Sequence, residues 1–296
     1  MNTNWNIREK TVLVTGGTGG IGYETARGLA ALGATVIIVG RNASRGATAV
    51  ESIQKQTGNT TSSFVQADLS SLDEIRRLAE HITTHYPQLQ ILINNVGARY
   101  AQREETVNGL EATLATTHLS SFLLTNLLLP LLEANAPARI VNVNSLTHRS
   151  AQINFDDFQS QQDYKDLPTY AQAKLANLLT SYELARRLDG TQIHVNVADP
   201  LGAVDTDMVA KGESSRRLRD RVRLSLLSII LTSKRAARSS IYLASSPDVE
   251  KFTGKYVNSH CKIVDSSPAS YDEATAEKVW RISAELTGME QKSMSL

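Results

Sequence analysis

The sequence is poor in the features that mark secreted, membrane-spanning and nucleic-acid-binding proteins. It has one cysteine, Cys261, in 296 residues, which excludes a framework of intramolecular disulfides and is typical of a reducing compartment. Its 31 basic and 30 acidic residues leave a net charge of +1, so there is no general attraction to nucleic acid or anionic membrane. Met1–Asn6 is polar, and no apolar run approaches the roughly 18 residues that cross a bilayer. We expect a cytoplasmic protein without nucleic-acid or membrane partners; the sequence leaves homo-oligomerisation open.

The histidines give no sign of a metal centre. They are residues 81, 85, 118, 148, 194 and 260. None is spaced with a cysteine or a carboxylate in the way that metal ligands are. The sequence therefore predicts no metal site.

Strand-like and helix-like segments alternate along most of the chain. Short apolar segments rich in β-branched residues predict strands at Thr11–Thr15, Thr35–Val39, Phe64–Ala67, Ile91–Ile93, Arg139–Val143, Ile193–Val197 and Gly254–Asn258. Helices are predicted at Ile21–Leu32, Ser44–Gln56, Ser71–His85, Gly109–Leu132 and Pro168–Leu188, with one more beyond Thr232 and a helical tail at about 272–288. Repeated β-α units with nearly continuous apolar strands imply a parallel sheet between two helical layers. We predict an α/β fold over residues 1–296: one Rossmann-type, doubly wound domain.

A glycine-rich loop separates the first strand from the first helix. Residues Thr15–Gly22 read Thr-Gly-Gly-Thr-Gly-Gly-Ile-Gly. Glycines permit a tight turn and let backbone amides approach a pyrophosphate at the helix N-terminus, where the helix dipole favours anions. With a strand before it and a helix after it, the loop predicts a dinucleotide-binding site.

The end of the second strand indicates which dinucleotide binds. Enzymes that prefer NAD usually carry an acidic residue about 20 residues past the loop, which binds the ribose 2′-hydroxyl. This chain has Gly40-Arg41-Asn42 instead. Arg41 can bind a 2′-phosphate with several charged donors, whereas a carboxylate would repel it. The sequence therefore favours NADP over NAD.

Tyr170 and Lys174 form the most informative pair in the chain. They are four residues apart on a predicted helix, so the phenol and the ammonium share one face. A nearby cation lowers the pKa of a phenol from about 10, and such a phenol can exchange a proton with a carbonyl or alcohol oxygen. A candidate partner, Ser145, lies upstream at the end of a predicted strand.

These features resemble the short-chain dehydrogenase/reductase family, in particular the branch of retinol dehydrogenases and related carbonyl reductases. The resemblance runs from about Thr11 to Asn258. Besides the loop and the Tyr170/Lys174 pair, it rests on four ordered motifs: Asp68-Leu69, Asn94–Gly97, Arg139–Ser145 and Lys174–Asn177.

The resemblance implies roles for individual residues. Asp68 is expected to contact the adenine, and the Asn94–Gly97 turn is expected to line the cofactor near the nicotinamide. Ser145, Tyr170 and Lys174 are expected to be catalytic: Ser145 binds the substrate oxygen and Lys174 holds the nicotinamide ribose. The expected cofactor-binding residues are Gly16, Thr18, Gly20, Ile21, Gly22, Arg41, Asn42, Asp68, Leu69, Asn95, Val96, Gly97, Tyr170, Lys174 and Pro200.

The chain departs from the family pattern at three positions. Thr117, the fourth expected catalytic residue, stands where the family has an asparagine that helps to hold a water beside the lysine; it keeps the main-chain carbonyl and a hydroxyl but loses the amide. Leu201 follows Pro200 in place of the usual glycine, and Val96 replaces an alanine. The resemblance further implies a substrate lid at about 202–231, which includes an arginine-rich segment at Glu213–Arg223.

The sequence predicts an NADP(H)-dependent oxidoreductase that interconverts a carbonyl and an alcohol on a small, fairly apolar molecule. Tyr170 would be the general acid/base, with its pKa lowered by Lys174. Two alternatives remain because of Thr117 and Leu201. The first is a non-redox acid/base enzyme on the same fold, such as an isomerase, cyclase or dehydratase. The second is a cofactor-binding protein with little turnover.

Overall fold

Seven parallel strands form one sheet at the centre of the described part of the chain. The structure, a computed structural model, describes residues 5–200 and 233–289. The strands are β1 Thr11–Thr15, β2 Thr35–Gly40, β3 Ser63–Gln66, β4 Leu89–Asn94, β5 Ala138–Val143, β6 Ile193–Ala198 and β7 Tyr256–Val257. Their order is β3-β2-β1-β4-β5-β6-β7, and every neighbouring pair is parallel. The predicted doubly wound α/β fold is confirmed.

Helices cover both faces of this sheet. They are α1 Gly20–Ala31, α2 Ala43–Thr57, α3 Leu72–His85, α4 Ala112–Ala134, α5 Asp166–Arg187, α6 Ser233–Ala236, α7 Arg238–Ser245 and α8 Glu273–Thr287. Their ends follow local side-chain chemistry. Asn42 and Ser71 accept hydrogen bonds from the first turns of α2 and α3, and Gly58, at φ +71°, ends α2.

Alternate strand residues supply two hydrophobic cores, one on each face of the sheet. On one face, Leu13 and Leu92 belong to a cluster with side chains of α3, α4, α5 and α8. On the other face, Val12 and Val14 belong to a cluster with side chains of α1, α2 and α7. Burial on both faces explains the nearly continuous apolar character of the strands.

Helix α4 differs from its prediction in where it starts and in its winding. Gly109 has φ +71°, which a helix does not adopt, and Glu111 instead accepts hydrogen bonds from Thr113 N and Leu114 N at the true start. Ala115–Leu119 is one π-helical turn, which the apolar periodicity did not reveal.

Helix α4 is also the one helix in the described residues that is long and apolar enough to cross a membrane. No such segment was predicted from the sequence, because polar residues interrupt the apolar runs of this helix. Most of it is buried in the core beneath α3 and α5, as expected for a core helix. The cytoplasmic location remains a prediction.

The C-terminal part follows the predicted order with shorter elements. The last strand covers only Tyr256–Val257, and the helix beyond Thr232 is divided into α6 and α7. In the predicted helical tail, at about 272–288, the structure has α8, Glu273–Thr287. The expected lid at 202–231 and Leu201 lie outside the described residues.

Candidate active site

The carboxyl ends of β1, β4 and β5 meet where the chain order of the sheet reverses, and two loops are tied together there. After β3 the chain crosses to the other side of β1, which is where ligands bind in open α/β sheets. The Thr15 hydroxyl accepts hydrogen bonds from Asn95 N at 2.9 Å and Val96 N at 3.2 Å. Asn95 Nδ2 donates to Thr15 O at 2.9 Å. The Asn94–Gly97 turn is thus fixed to the start of the glycine loop.

Two glycines of the loop have no room, or no suitable backbone conformation, for a side chain. Gly16 has φ +66°, and a Cβ on Gly22 would lie 2.3 Å from Gly16 O. Thr18 lies against the end of β2, because a Cβ on Gly40 would lie 2.7 Å from Thr18 Cγ2. The loop therefore presents backbone at the N-terminus of α1, which suits a phosphate group.

Lys174 lies deep in the site, close to the turn that follows β4. Its side chain is buried, and its ammonium donates to Val143 O at 2.8 Å. A Cβ on Gly97 would be 3.3 Å from Lys174 Nζ. Burial lowers the pKa of Lys174 to about 8, so the ammonium form still predominates at neutral pH.

Tyr170 lies one turn before Lys174 on α5 and beside Ser145. Burial raises the pKa of Tyr170 above its ordinary value, while the hydrogen bond with the Ser145 side chain and the charge of Arg99 act in the opposite direction. The expectation that Lys174 lowers this pKa is not met. The Lys174 ammonium is 5.8 Å from the Tyr170 ring centre and bonds Val143 O instead, and burial outweighs the nearby charges.

Thr117 lies on the π-helical turn of α4, and its polar groups bond to the protein. Its hydroxyl donates to Ala98 O at 3.0 Å and accepts from Ala98 N at 3.1 Å. Its main-chain oxygen accepts from Asn177 Nδ2 at 3.1 Å. Thr117 thus holds the segment beyond Gly97 in place.

The residues predicted to hold the adenosine half lie at the ends of β2 and β3. Arg41 is exposed, and Asn42 caps α2 by accepting from Arg45 N at 2.9 Å. Asp68 accepts from both Ser70 N and Ser70 Oγ, whereas Leu69 is part of the core. Pro200 is buried beyond the end of β6. Their contacts to a cofactor remain predictions.

Two residues of this region were not singled out from the sequence. Arg99 lies in the segment after Gly97, with its Nε 3.7 Å from Asp166 Oδ2. His148 is buried; its Nε2 accepts from Ser267 N at 3.2 Å, so the Nδ1 proton donates to Ser145 O at 2.7 Å. Neither has a sequence signal, because both depend on contacts between distant segments. Among the described residues, no three potential metal ligands are grouped together.

Comparisons with known proteins agree with this architecture. The model of a family described as short chain dehydrogenase matches residues 10–217. The chain is 39% identical to retinol dehydrogenase 14 of Mus musculus, over 95% of this chain and 86% of the relative. It is 38% identical to the polyprenol dehydrogenase of Homo sapiens, with the same coverage. A crystal structure of an uncharacterised protein from Mycobacterium paratuberculosis superposes with a TM-score of 0.77 at 30% identity, covering 95% of this chain and 94% of that one.

Proposed function

The chain belongs to the short-chain dehydrogenase family, and on that basis we propose that it is an NADP(H)-dependent oxidoreductase. It interconverts a carbonyl and an alcohol on a small, fairly apolar organic molecule. The observation that carries the proposal is the placement of Tyr170 between Ser145 and Lys174, at the carboxyl ends of the central strands and next to the glycine loop.

The residues at this edge fit a nicotinamide dinucleotide. A side chain on Gly22 would collide with Gly16 O, so glycine there keeps the loop tightly wound at the N-terminus of α1. A Cβ on Gly97 would lie 3.3 Å from Lys174 Nζ, so the base of the site is narrow. Gly16–Gly22 would hold the pyrophosphate, and Lys174 the nicotinamide ribose. The cofactor, when bound, supplies the hydride chemistry.

NADP is favoured over NAD because of the residues at the end of β2. No carboxylate stands there, and Arg41 is exposed beside the loop that carries Thr18. A guanidinium is well suited to a 2′-phosphate. The preference for NADP therefore depends on Arg41, and replacing Arg41 tests it.

Tyr170 is suited to donate a proton to a carbonyl oxygen. Its raised pKa keeps the phenol protonated at neutral pH, which is the form that reduction requires. The Ser145 hydroxyl, next to this phenol, can hydrogen-bond the substrate oxygen as negative charge develops there. Proton transfer leaves a phenolate on Tyr170, and the charge of Arg99 acts to stabilise it. Oxidation of an alcohol would need that phenolate from the start, so we propose that reduction is the easier direction at neutral pH.

The two named relatives support the assignment of a carbonyl/alcohol pair on a mainly apolar molecule. Their names state dehydrogenation of retinol and of polyprenol, and both match nearly the whole chain. The alternatives of non-redox acid/base chemistry or cofactor binding without turnover are separated from this proposal by the following experiment.

The proposed function is tested by following NADPH absorbance with a panel of aldehydes and ketones. We expect turnover by the wild type, and a loss in kcat of about 10²–10⁴-fold in Tyr170→Phe. The phenylalanine ring preserves the packing, so NADPH affinity measured by calorimetry should stay within about twofold. Lys174→Met should reduce both kcat and NADPH affinity. NADPH binding without any turnover would favour the alternatives, and normal turnover by Tyr170→Phe would remove the proton donor from the mechanism.

A further inference from the structure

The segment Gly97–Arg99 runs along the stripe of α5 that carries the catalytic residues. Asp166, Tyr170 and Lys174 are spaced by four residues and share one helix face. Gly97 lies against the Lys174 ammonium, and Arg99 Nε lies 3.7 Å from Asp166 Oδ2 at the start of the helix. Tyr170 therefore lies between a buried lysine on one side and the Arg99 guanidinium on the other.

The main chain around Arg99 is fixed on both sides. Ala98 exchanges two hydrogen bonds with the Thr117 hydroxyl, at 3.0 and 3.1 Å. The carbonyl of Tyr100 accepts from the Tyr164 hydroxyl at 2.7 Å. Because both neighbours are anchored, the position of the Arg99 side chain at the outer end of the stripe is set by the fold.

The environment of this guanidinium is unusual for a structural ion pair. Only 12% of the Arg99 side chain is exposed, yet its contact with Asp166 is longer than a hydrogen bond. Asp166 is itself 38% exposed and already accepts from Leu167 N at 2.7 Å. A largely buried cation is normally paired closely with an anion. The charge of Arg99 also reaches the Tyr170 hydroxyl, since it acts to lower the pKa of that group.

We propose that Arg99 is a substrate-binding residue that pairs with a carboxylate on the carbonyl or alcohol substrate. The inference rests on the proposed function and narrows its substrate to an apolar molecule that carries one acidic group near the reacting carbon. A guanidinium and a carboxylate match in geometry, and such a pair in a partly desolvated site orients the substrate beside Tyr170.

The test compares two aldehydes of similar size, 4-carboxybenzaldehyde, which carries a carboxylate, and its methyl ester, methyl 4-formylbenzoate. In each reduction the carbonyl carbon gains a hydride from NADPH and the oxygen gains a proton, which gives the alcohol and NADP. The measured quantity is the ratio of kcat/KM for the acid to that for the ester. Because each variant sees both probes, their intrinsic reactivities cancel when ratios are compared between proteins.

We expect the acid-to-ester ratio to fall by about tenfold or more in Arg99→Met, which keeps an unbranched apolar stem and removes the charged guanidinium. Arg99→Lys should lie between that variant and the wild type. Asp166→Asn should raise the ratio, because it removes a competing carboxylate. Arg27→Met is the matched control, since Arg27 pairs with Glu24 on α1, and it should leave the ratio unchanged.

Titration with benzoate separates the inference from the proposed function, because binding of this probe needs no turnover. We expect wild type to bind benzoate and Arg99→Met to bind it about tenfold more weakly, while circular dichroism and NADPH affinity stay the same. Equal ratios and equal benzoate affinities in wild type and Arg99→Met would overturn the inference, as would a wild type that does not bind benzoate. Benzoate binding that depends on Arg99, with no reduction of either aldehyde, would keep the anion site and reject the oxidoreductase.

Discussion

The individual residues of the site differ in what their polar atoms contact. Lys174 and Thr117 are buried, and both bond to main-chain groups of neighbouring segments. Arg41 differs because its side chain is exposed at the rim. Loss of a buried partner leaves a polar group unsatisfied, whereas loss of a rim charge only removes attraction for a ligand. The two kinds of residue therefore call for different tests.

The first prediction concerns the cofactor preference. Arg41→Ala should weaken NADP binding by about tenfold and leave NAD binding unchanged, because only NADP carries the 2′-phosphate. Calorimetric titration of both cofactors measures this. Lys55→Ala, in the last turn of α2, is the control. A wild type that binds NADP and NAD equally would contradict the assignment of NADP.

The second prediction concerns the hydroxyl of Thr117. Thr117→Val keeps the shape of the side chain but leaves Ala98 N and O without their partner, which should cost about 1–3 kcal/mol in the free energy of unfolding. The adjacent Thr116→Val is a matched control, because the Thr116 hydroxyl is buried with no hydrogen-bond partner among the described residues. Urea unfolding measures the free energy of unfolding of both variants. Equal losses in the two variants would mean that the contacts with Ala98 contribute nothing to stability.

At the element scale, the turn after β5 is held by a segment far along the chain. The 3₁₀ turn Leu146–Ser150 follows Ser145, and its His148 bridges Ser145 O and Ser267 N. Arg149 donates from the same turn to the carbonyl of Asp265. The segment after β7 thereby helps to set the position of Ser145.

The third prediction follows from this bridge. His148→Phe fills the space beside Tyr256 but donates no hydrogen bond, so Ser145 should lose its fixed position and kcat should fall by about tenfold. NADPH affinity should not change. His148→Asn, which can still donate to Ser145 O, should recover part of kcat. If both variants lose kcat to the same extent, His148 acts through packing alone.

At the scale of the whole molecule, α8 closes the core over α4 and α5. Its Ser283 hydroxyl donates to Val279 O, so His118 Nε2 must be the donor in their 2.7 Å contact. The other ring nitrogen, Nδ1, is buried without a partner in the described residues. Burial lowers the pKa of His118 to about 3. The packing of α8 therefore requires a neutral imidazole.

The fourth prediction is a loss of stability in mild acid. Below the unfolded-state pKa of about 6.5, the unfolded chain binds a proton that folded His118 excludes, so the free energy of unfolding falls as pH decreases. The slope is about 1.4 kcal/mol per pH unit down to the folded-state pKa. His118→Gln keeps a donor for Ser283 but does not titrate. Between pH 6.5 and pH 5, the free energy of unfolding measured with urea should fall in both proteins. The fall should be roughly 1.5 kcal/mol smaller in His118→Gln than in wild type. Equal losses would exclude His118 as the cause.

The sheet, the succession of β-α units and the positions of the main motifs could be predicted from local patterns alone. Apolar periodicity, glycines and capping residues are local signals, and they placed β1, the glycine loop and α5 within a few residues. The four-residue spacing of Tyr170 and Lys174 likewise required only a helix.

Only the tertiary structure decided which groups these residues meet. Local spacing predicted a lowered pKa for Tyr170, but burial between segments raises it, and the Lys174 ammonium bonds to β5. The His148 bridge and the approach of Arg99 to α5 join residues that are distant in sequence. Desolvation and hydrogen-bond partners depend on the packing of the whole chain, so no local pattern in the sequence records them.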